Sequence, residues 1–323
     1  MTIRRRIGSS DLDVYPLSLG CNTFGWTADE ATSHEVLDAY VAAGGNFLDT
    51  ADGYPAFVPG RPPGLSEEFI GSWLPGRSDR DELVIATKVS RHPDFRGLAP
   101  QNVRAAADAS LGRMGLDRID LYYAHYDDPE VPIADIAGAF SGLVDAGKVR
   151  WIGISNFSPA RIDEWLETAT AEGLHEPVAL EPHYNLVERD YELAQRPSAQ
   201  RFGLGVMPYY ALARGFLTGK YRPGTEVRSE RAGGERARAA GASDYLTPDG
   251  IDLLQALDEV AAAHGASVAS VSLAWLAAQP TVVAPIASVR LVSQLADLVA
   301  SVGLELTPDD LDRLSTAGAS LDV

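Results

Sequence analysis

Residues 46–54 read Asn-Phe-Leu-Asp-Thr-Ala-Asp-Gly-Tyr and connect the end of a predicted strand to a loop. Phe47 and Leu48 form an apolar run that is typical of the end of a buried strand. Asp49 stands at the tip of that strand, where a carboxylate needs a cation or several hydrogen-bond donors nearby. Tyr54 follows in the loop, and a tyrosine that releases a proton near neutral pH also needs a cation, because its free pKa is about 10. The stretch therefore predicts a lysine or an arginine at the same end of another strand.

Short apolar runs alternate with amphipathic stretches along the chain about every thirty residues, which is typical of repeated strand and helix units. The predicted strands span 17–20, 46–48, 83–87, 119–123, 149–154, 179–181, 204–207 and 282–286. The predicted helices span 31–43, 66–74, 100–114, 132–146, 159–171 and 190–201. Eight strands with helices between them predict one (β/α)8 TIM barrel. The turn Gly8-Ser9-Ser10-Asp11 between two short β-like runs predicts a small N-terminal hairpin before it.

A doubly wound open sheet is the alternative fold, and it would normally show a Gly-x-Gly-x-x-Gly loop after an early strand. Residues 20–25 read Gly-Cys-Asn-Thr-Phe-Gly and do not match that pattern. No linker divides the chain, so we predict a single domain over residues 1–323. The one long irregular segment, 222–249, follows the seventh predicted strand, and a loop of that length is usually functional or disordered. Whether it closes over a cofactor is not decided by the sequence.

The composition of the chain argues against several classes of partner, metal site and location. The 323 residues are 46% apolar and carry a formal charge of −18, which argues against nucleic acid or an anionic membrane as the main partner. The single cysteine, Cys21, excludes an intramolecular disulfide and a cysteine metal cluster, and no metal site is predicted. The basic residues 1–6 are followed by no apolar signal region, and no apolar run approaches the ~20 residues that span a bilayer. A cytoplasmic location is therefore expected.

Polar residues follow several of the predicted strands, at the end where barrels carry their active sites. The second strand ends in Asp49, the third in Lys88 and the fourth in His125. Each of these residues alone has an ordinary structural explanation, as a helix cap, a solvated lysine or a hydrogen-bonded core histidine. Their occurrence together at equivalent strand ends has no such explanation, and it predicts a common site. The later strands end in Ser155-Asn156, Glu181 and Tyr209-Tyr210.

Proton donation to a carbonyl group is the chemistry that these residue types can perform. Lys88 close to Tyr54 is expected to lower the pKa of the phenol, and Asp49 is expected to hold Lys88 charged and in position. His125 would then orient the carbonyl by a hydrogen bond, and Tyr54 would be the general acid. None of these side chains can supply a hydride, so a nicotinamide cofactor is implied.

Several motifs resemble those of the aldo-keto reductases, over residues 5 to about 298. They are Asn-Phe-Leu-Asp-Thr-Ala at 46–51, Ile-Ala-Thr-Lys at 85–88, Ile-Asp-Leu-Tyr at 119–122 with His125, and Ile-Gly-Ile-Ser-Asn-Phe at 152–157. The resemblance implies a catalytic tetrad of Asp49, Tyr54, Lys88 and His125. It also implies NADP(H) bound in an extended form across the C-terminal face of the barrel.

The resemblance further implies the residues that hold this cofactor. Ser155 and Asn156 would bind the nicotinamide carboxamide, Tyr209 would stack on the ring, and Arg290 would bind the 2′-phosphate, assisted by a helix that starts near Leu291. The loop 212–215 with Lys220 would wrap the pyrophosphate. The full predicted set is Gly20, Cys21, Asn22, Asp49, Ser155, Asn156, Glu181, Tyr209, Tyr210, Leu212, Arg214, Gly215, Lys220, Ser288, Arg290 and Gln294.

The chain departs from the family pattern at several positions. Glu181 stands where the family usually has Gln, and an ionised Glu can accept hydrogen bonds but cannot donate one. Asp297-Leu298 replaces the usual Glu-Asn pair, so one adenine contact is expected to be lost. Pro55 and a proline-rich loop through residue 63 follow Tyr54 in place of the usual glycine, and we expect this loop to shape the substrate pocket.

The sequence thus predicts an NAD(P)H-dependent reductase of small aldehydes or ketones, including sugar-derived ones, with a monomer as the default. Substrate contacts are expected from Trp26, Phe57, His92 and Tyr126. Two other functions stay open. One is a weakly active, redox-sensing binding protein that resembles the β-subunits of potassium channels. The other is a barrel lyase or isomerase with Lys88 as a Schiff base.

Overall fold

Eight parallel strands form the central sheet of the computed structural model, which describes residues 3–224 and 241–319. The strands of an N-terminal antiparallel hairpin are β1 (Arg5–Arg6) and β2 (Asp13–Val14). Those of the sheet are β3 (Ser18–Gly20), β4 (Phe47–Asp49), β5 (Val84–Val89), β6 (Ile119–Ala124), β7 (Val149–Ser155), β8 (Pro177–Glu181), β9 (Gly205–Val206) and β10 (Ile286–Ala287). They pair in the order β10-β3-β4-β5-β6-β7-β8-β9.

The two ends of this sheet meet through Val206. The Val206 N–H donates to Thr281 O at 3.0 Å, and the Val283 N–H donates to Val206 O at 2.8 Å. The segment that carries these residues continues directly into β10, which pairs with β3. The sheet is therefore closed, and the predicted (β/α)8 barrel with its hairpin is confirmed.

Helices follow the strands and cover the outside of the barrel. They are α1 (Glu30–Ala42), α2 (Leu65–Trp73), α3 (Pro100–Met114), α4 (Ile133–Asp145), α5 (Pro159–Glu172), α6 (Asp190–Leu193), α7 (Arg196–Phe202), α8 (Pro248–His264), α9 (Val268–Ala277), α10 (Leu295–Ala300) and α11 (Pro308–Gly318). The Asp29 carboxylate caps α1 by accepting from Thr32 N at 3.0 Å, and the Ser158 hydroxyl caps α5 at Arg161 N. Short 3-10 turns lie at Arg80–Glu82, Ala213–Thr218, Val292–Gln294 and Ser301–Gly303.

The structure differs from the sequence prediction in three places. The single helix predicted over 190–201 is two helices, α6 and α7, because the ring of Pro197 is incompatible with the preceding turn of a continuous helix. The last strand is Ile286–Ala287, whereas Val282 makes only an isolated bridge, since Pro285 has no N–H for a ladder. Among the helices from α8 onward, only the one expected near Leu291 corresponds to a prediction, and α8 begins inside the segment 222–249. Residues 225–240 of that segment lie outside the described residues.

Two layers of apolar side chains make up the core. Inside the barrel, Phe47 of β4 and Leu121 of β6 point inward and pack with Ile7 and Val14 of the hairpin. Between sheet and helices, a larger layer contains outward-facing strand residues such as Leu48. This alternation along the strands is what a barrel requires. The hairpin belongs to the inner layer, and the polar strand ends described below lie at the C-terminal ends of the strands.

In the described part of the chain, no single helix is both long and apolar enough to cross a membrane. Helices α8 and α9 reach the required length and composition only as a pair, which is bent by 94°.

Candidate active site

Lys88 and Asp49 form a buried ion pair at the ends of β5 and β4. These strands are neighbours, with Asp49 opposite Ala86 in the register, so Lys88 extends past the end of β4. Lys88 Nζ donates to Asp49 Oδ1 at 2.7 Å, to Asp49 Oδ2 at 2.6 Å and to Thr50 O at 3.0 Å. The cation that the opening stretch requires is therefore Lys88.

Lys88 is a charged ammonium group in this site. Burial alone would lower its pKa, but the carboxylates of Asp49 and Glu181 more than offset burial and raise the pKa above its ordinary value of 10.5. Glu181 Oε1 lies 3.4 Å from Lys88 Nζ, so two carboxyl groups face one ammonium group.

Tyr54 lies above Lys88, with Lys88 Nζ 5.4 Å from the centre of its ring. Lys88 lowers the pKa of this phenol, as expected from the sequence, but burial outweighs this effect and the net shift is upward. Burial raises the pKa of Tyr54, and Lys88 only partly opposes burial, because Asp49 and Glu181 act in the same direction as burial. The phenol is therefore protonated at neutral pH, as a proton donor must be before it reacts.

His125 completes the cluster at the end of β6. Its ring is perpendicular to that of Tyr54, with 5.9 Å between the centres, and it lies 5.0 Å from the ring of Tyr126. Burial, followed by the charges of Lys88 and Arg91, holds the pKa of His125 well below 6.5, so the imidazole is neutral. Its Nδ1 atom is buried and has no hydrogen-bond partner among the described residues. The four residues of the predicted tetrad thus lie together.

Asn156 connects His125 to the next strand end. Its backbone is left-handed, with φ of 55°, a conformation that Asn tolerates better than most residues. The Asn156 amide nitrogen donates to His125 O at 2.8 Å and to Ser155 Oγ at 3.0 Å. The Tyr209 hydroxyl donates to Asn156 Oδ1 at 2.7 Å. Ser155, Asn156 and Tyr209 are therefore held as one unit beside the tetrad.

Glu181 lies opposite Ser155 in the pairing of β7 with β8, and its carbonyl accepts from Ser155 Oγ at 2.8 Å. Burial, together with the nearby Asp49 carboxylate, raises the pKa of Glu181 to about 8 in spite of Lys88. Its Oε2 atom is buried and receives no hydrogen bond within the described residues.

The predicted 2′-phosphate loop lies against the end of β3. A side chain at Gly20 would meet Ser288 Oγ at 2.5 Å, so the two segments approach as closely as only glycine allows. Ser288 Oγ donates to Asn22 Oδ1 at 2.7 Å, and the Arg290 N–H donates to Gln294 Oε1 at 3.0 Å. The helix expected from Leu291 begins later, as the 3-10 turn Val292–Gln294 followed by α10.

Cys21 is placed differently from the other predicted cofactor residues. Its side chain is fully buried, its N–H donates to Asp49 O, and its carbonyl accepts from Ser66 Oγ. Protein contacts thus use its polar groups, and its role in cofactor binding stays a prediction.

The predicted pyrophosphate loop has an unusual backbone. Tyr210, Ala213 and Arg214 all have positive φ, at 51°, 46° and 55°, and Gly215 follows at 99°. Left-handed residues other than glycine are uncommon and occur mainly where function constrains the chain. The Arg214 guanidinium lies 5.3 Å from the centre of the Tyr210 ring, and Lys220 Nζ lies close to Gly215. Leu212 O accepts from Gly215 N at 2.8 Å, which closes the turn between two cationic side chains.

Two aromatic side chains extend from Tyr54 into the loops around the site. The Phe57 ring lies 5.9 Å from the Tyr54 ring and 5.3 Å from the Trp26 ring, both edge to face. Tyr126 is partly exposed beside His125, and the Arg91 guanidinium lies 4.5 Å from the centre of its ring. The predicted substrate contact of His92 stays a prediction. His92 is buried against Phe95, at 5.0 Å between ring centres.

Two positioning contacts were not foreseen from the sequence. The His183 ring stacks on Tyr209 with 5.2 Å between centres and 9° between planes, and it supports the face of Tyr209. The Asn185 amide donates to Tyr210 O at 3.0 Å and ties the loop to the strand. Both residues belong to the run Glu-Pro-His-Tyr-Asn at 181–185, which was the only signal for them.

These residues fit a nicotinamide dinucleotide. Gly20 permits close approach of a ligand-binding loop, the basic side chains of Arg214, Lys220 and Arg290 suit phosphates, and the buried Glu181 Oε2 has unused hydrogen-bonding capacity. The barrel and its cluster of Asp, Tyr, Lys and His at neighbouring strand ends define a barrel oxidoreductase.

The chain belongs to the aldo/keto reductase family, whose sequence pattern matches residues 16–318. It is 32% identical to Protein tas of Escherichia coli (strain K12), covering 96% of this chain and 95% of that relative. It is 33% identical to the uncharacterized oxidoreductase YrpG of Bacillus subtilis (strain 168), covering 96% and 94%. It is 29% identical to norsolorinic acid reductase B of Aspergillus parasiticus, covering 96% of this chain and 82% of that protein.

Proposed function

We propose that this protein reduces a small aldehyde or ketone to an alcohol with NADPH, and that Tyr54 donates the proton. The observation that carries the proposal is the arrangement around Lys88. Its ammonium group is fixed by two hydrogen bonds to Asp49, beneath the ring of Tyr54 and beside His125. A phenol, a cation and a neutral imidazole then face one small volume, which is what protonation of a carbonyl oxygen needs.

In this proposal the roles of the residues follow from their charge. The neutral His125 orients the carbonyl oxygen by a hydrogen bond, and Tyr54 gives its proton to the alkoxide as negative charge develops there. The phenolate that forms is stabilised by Lys88, because a cation nearby favours the charged form of an acid. Asp49 keeps Lys88 charged and in place. The bound nicotinamide supplies the hydride, which none of these side chains can provide.

Specificity for NADP(H) over NAD(H) is proposed from Arg290, in the loop that approaches Gly20 through Ser288. A planar guanidinium suits a phosphate monoester. Arg214 and Lys220 would bind the pyrophosphate. Together they supply the local positive charge that a protein of formal charge −18 needs to hold an anionic cofactor.

The substrate is proposed to be a carbonyl compound with an apolar or aromatic body. Phe57 is 53% exposed and contacts both Tyr54 and Trp26, so the proline-rich loop after Tyr54 forms one wall of the entrance. Tyr126 forms another. One relative is named a norsolorinic acid reductase, which supports reduction as the reaction type.

Lys88 as a Schiff-base nucleophile is the less favoured alternative. A nucleophilic amine must lose its proton, whereas the two carboxyl groups hold Lys88 protonated by raising its pKa. A redox-sensing role without turnover stays a second candidate, which the same experiments address.

The test is nucleotide binding followed by turnover. Quenching of tryptophan fluorescence should report tight binding of NADPH and weaker binding of NADH, and a panel of aldehydes should then be reduced. Failure of both nucleotides to bind would remove the proposed function. Binding with a single hydride transfer but no multiple turnovers would favour the redox-sensing role.

A further inference from the structure

Glu181 brings a second carboxyl group to the buried ion pair of Lys88 and Asp49. Glu181 Oε1 lies 3.4 Å from Lys88 Nζ, and the carboxyl groups of Asp49 and Glu181 are also within hydrogen-bond distance of each other. Glu181 is 2% exposed and Asp49 is 3% exposed. One buried ammonium group thus faces two carboxyl groups that touch.

Two ionised carboxylates in contact repel each other strongly when water is excluded, and Lys88 can balance only one of them. Glu181 Oε2 adds a second difficulty, because no N–H or O–H group of the described residues donates to this buried atom. An ionised oxygen without a donor is costly to bury. A proton on Glu181 resolves both difficulties. It removes the repulsion between the two carboxyl groups, and it lets Glu181 donate a hydrogen bond to Asp49.

We propose that Glu181 holds this proton in the ligand-free protein at neutral pH, and that it releases the proton to solvent when NADP+ binds but retains it when NADPH binds. This inference rests on the proposed function, because it requires the nicotinamide to lie beside Ser155 and Asn156. Ser155 is the residue paired with Glu181 and donates to its carbonyl. The oxidised ring is positively charged and stabilises a nearby carboxylate, whereas the reduced ring is neutral.

The other titratable groups around the pair do not change charge near neutral pH. They are Lys88 on β5, Tyr123 on β6, Tyr54 after β4, Tyr209 after β9 and Cys21 after β3. The pKa values of the three phenols and of the thiol are all raised by burial, so these groups stay neutral, and Lys88 stays charged. His125, which faces Lys88, is neutral because burial lowers its pKa. Burial, reinforced by Glu67, also raises the pKa of the neighbouring Asp52 carboxyl. Within the ion pair itself, the proton exchanged between about pH 6.5 and about pH 9 belongs to Glu181 and Asp49.

The proposal implies that pH sets the affinity of the site for NADP+ relative to NADPH. Near neutral pH the oxidised nicotinamide must displace the proton from Glu181, which weakens the binding of NADP+ and lets the product nucleotide leave. At alkaline pH the carboxylate retains NADP+. A glutamine at this position, which is always neutral, would not produce such a change.

The test compares dissociation constants of NADP+ and NADPH, measured by fluorescence quenching at about pH 6.5 and about pH 9. We expect the affinity for NADP+ relative to NADPH to increase about tenfold over this range in the wild-type protein. The phosphates are common to both nucleotides, so their own titration cancels in the ratio. Glu181→Gln should abolish the change. Glu167→Gln, which removes an exposed carboxylate paired with Arg201, should leave it as in the wild type.

A ratio that does not change with pH, while both nucleotides bind, would overturn this inference and leave the proposed function intact. Failure of both nucleotides to bind would remove the proposed function and this inference with it. The ligand-free protein provides an independent readout that needs no nucleotide. Its infrared spectrum near pH 6.5 should contain a buried carboxylic-acid C=O band that Glu181→Gln removes. Absence of that band would also contradict the inference.

Discussion

Lys88 Nζ lies 2.6 Å from Asp49 Oδ2, and both side chains are buried at the ends of neighbouring strands. The pair fixes the position of the only cation that lies beneath Tyr54 in the described structure. Because Glu181 also faces Lys88, removal of the ammonium group would leave two buried carboxyl groups without a cation. The pair thus compensates buried charge and also places the cation beneath Tyr54.

Lys88→Met is expected to lower the free energy of unfolding by about 3–5 kcal/mol, because it leaves the buried Asp49 carboxylate without a cation. Urea unfolding at neutral pH measures this change. Lys148→Met is the matched control, since Lys148 forms an exposed ion pair with Asp108, and its effect should stay within about 0.5 kcal/mol. Equal effects of the two substitutions would show that the buried pair contributes no special stability.

The neutral state of His125 predicts how stability depends on pH. Its pKa is held well below 6.5 in the folded protein, so the unfolded chain binds an additional proton as the pH falls below about 6.5. Stability should therefore decrease toward acid pH by a contribution that His125→Asn removes. Unfolding curves of both proteins between about pH 7.5 and about pH 5 test this. A difference between them that does not vary with pH would mean that His125 titrates normally.

Arg290→Ala is expected to weaken NADPH binding about tenfold or more while changing NADH binding little, because only NADPH carries the 2′-phosphate. Fluorescence titration with both nucleotides measures the two constants. Arg201→Ala, on α7, is a control for the loss of one positive charge. Equal weakening of both nucleotides by the Arg290 substitution would remove this residue from the 2′-phosphate.

Phe57→Ala is expected to raise KM for an aromatic aldehyde by roughly tenfold and to change kcat little, since it removes one apolar wall without altering the proton donor. The matched control is Leu193→Ala, because Leu193 is 87% exposed and lies on α6. A loss confined to kcat would place Phe57 in the positioning of Tyr54 instead of in substrate binding.

Much of this fold follows from local pattern. The alternation of apolar runs and amphipathic stretches predicted the barrel, and the polar residues at the ends of β4, β5 and β6 predicted the cluster of Asp49, Lys88 and His125. Such patterns are visible because every strand repeats the same arrangement of a buried run and a polar end. The break between α6 and α7 also has a local signal, because a proline such as Pro197 interrupts a continuous helix.

The properties that the sequence did not predict depend on contacts between distant segments. The sign of the Tyr54 pKa shift depends on burial, which outweighs Lys88 and is reinforced by Asp49 and by Glu181 of β8, and no local pattern shows how much each contributes. The stack of His183 on Tyr209 likewise depends on a bridge between two loop ends. The left-handed backbone of Ala213 and Arg214 is stabilised by tertiary structure against local preference.

The central claim is that Tyr54 gives its proton to a carbonyl compound reduced by NADPH. The most direct test is a single-turnover experiment, in which an aromatic aldehyde is mixed with the protein and bound NADPH, and loss of the reduced nicotinamide absorbance is followed. The wild-type protein should oxidise the nucleotide. Tyr54→Phe should bind NADPH with an unchanged dissociation constant and react ~10²- to 10⁴-fold more slowly. Equal rates for the two proteins would contradict the account.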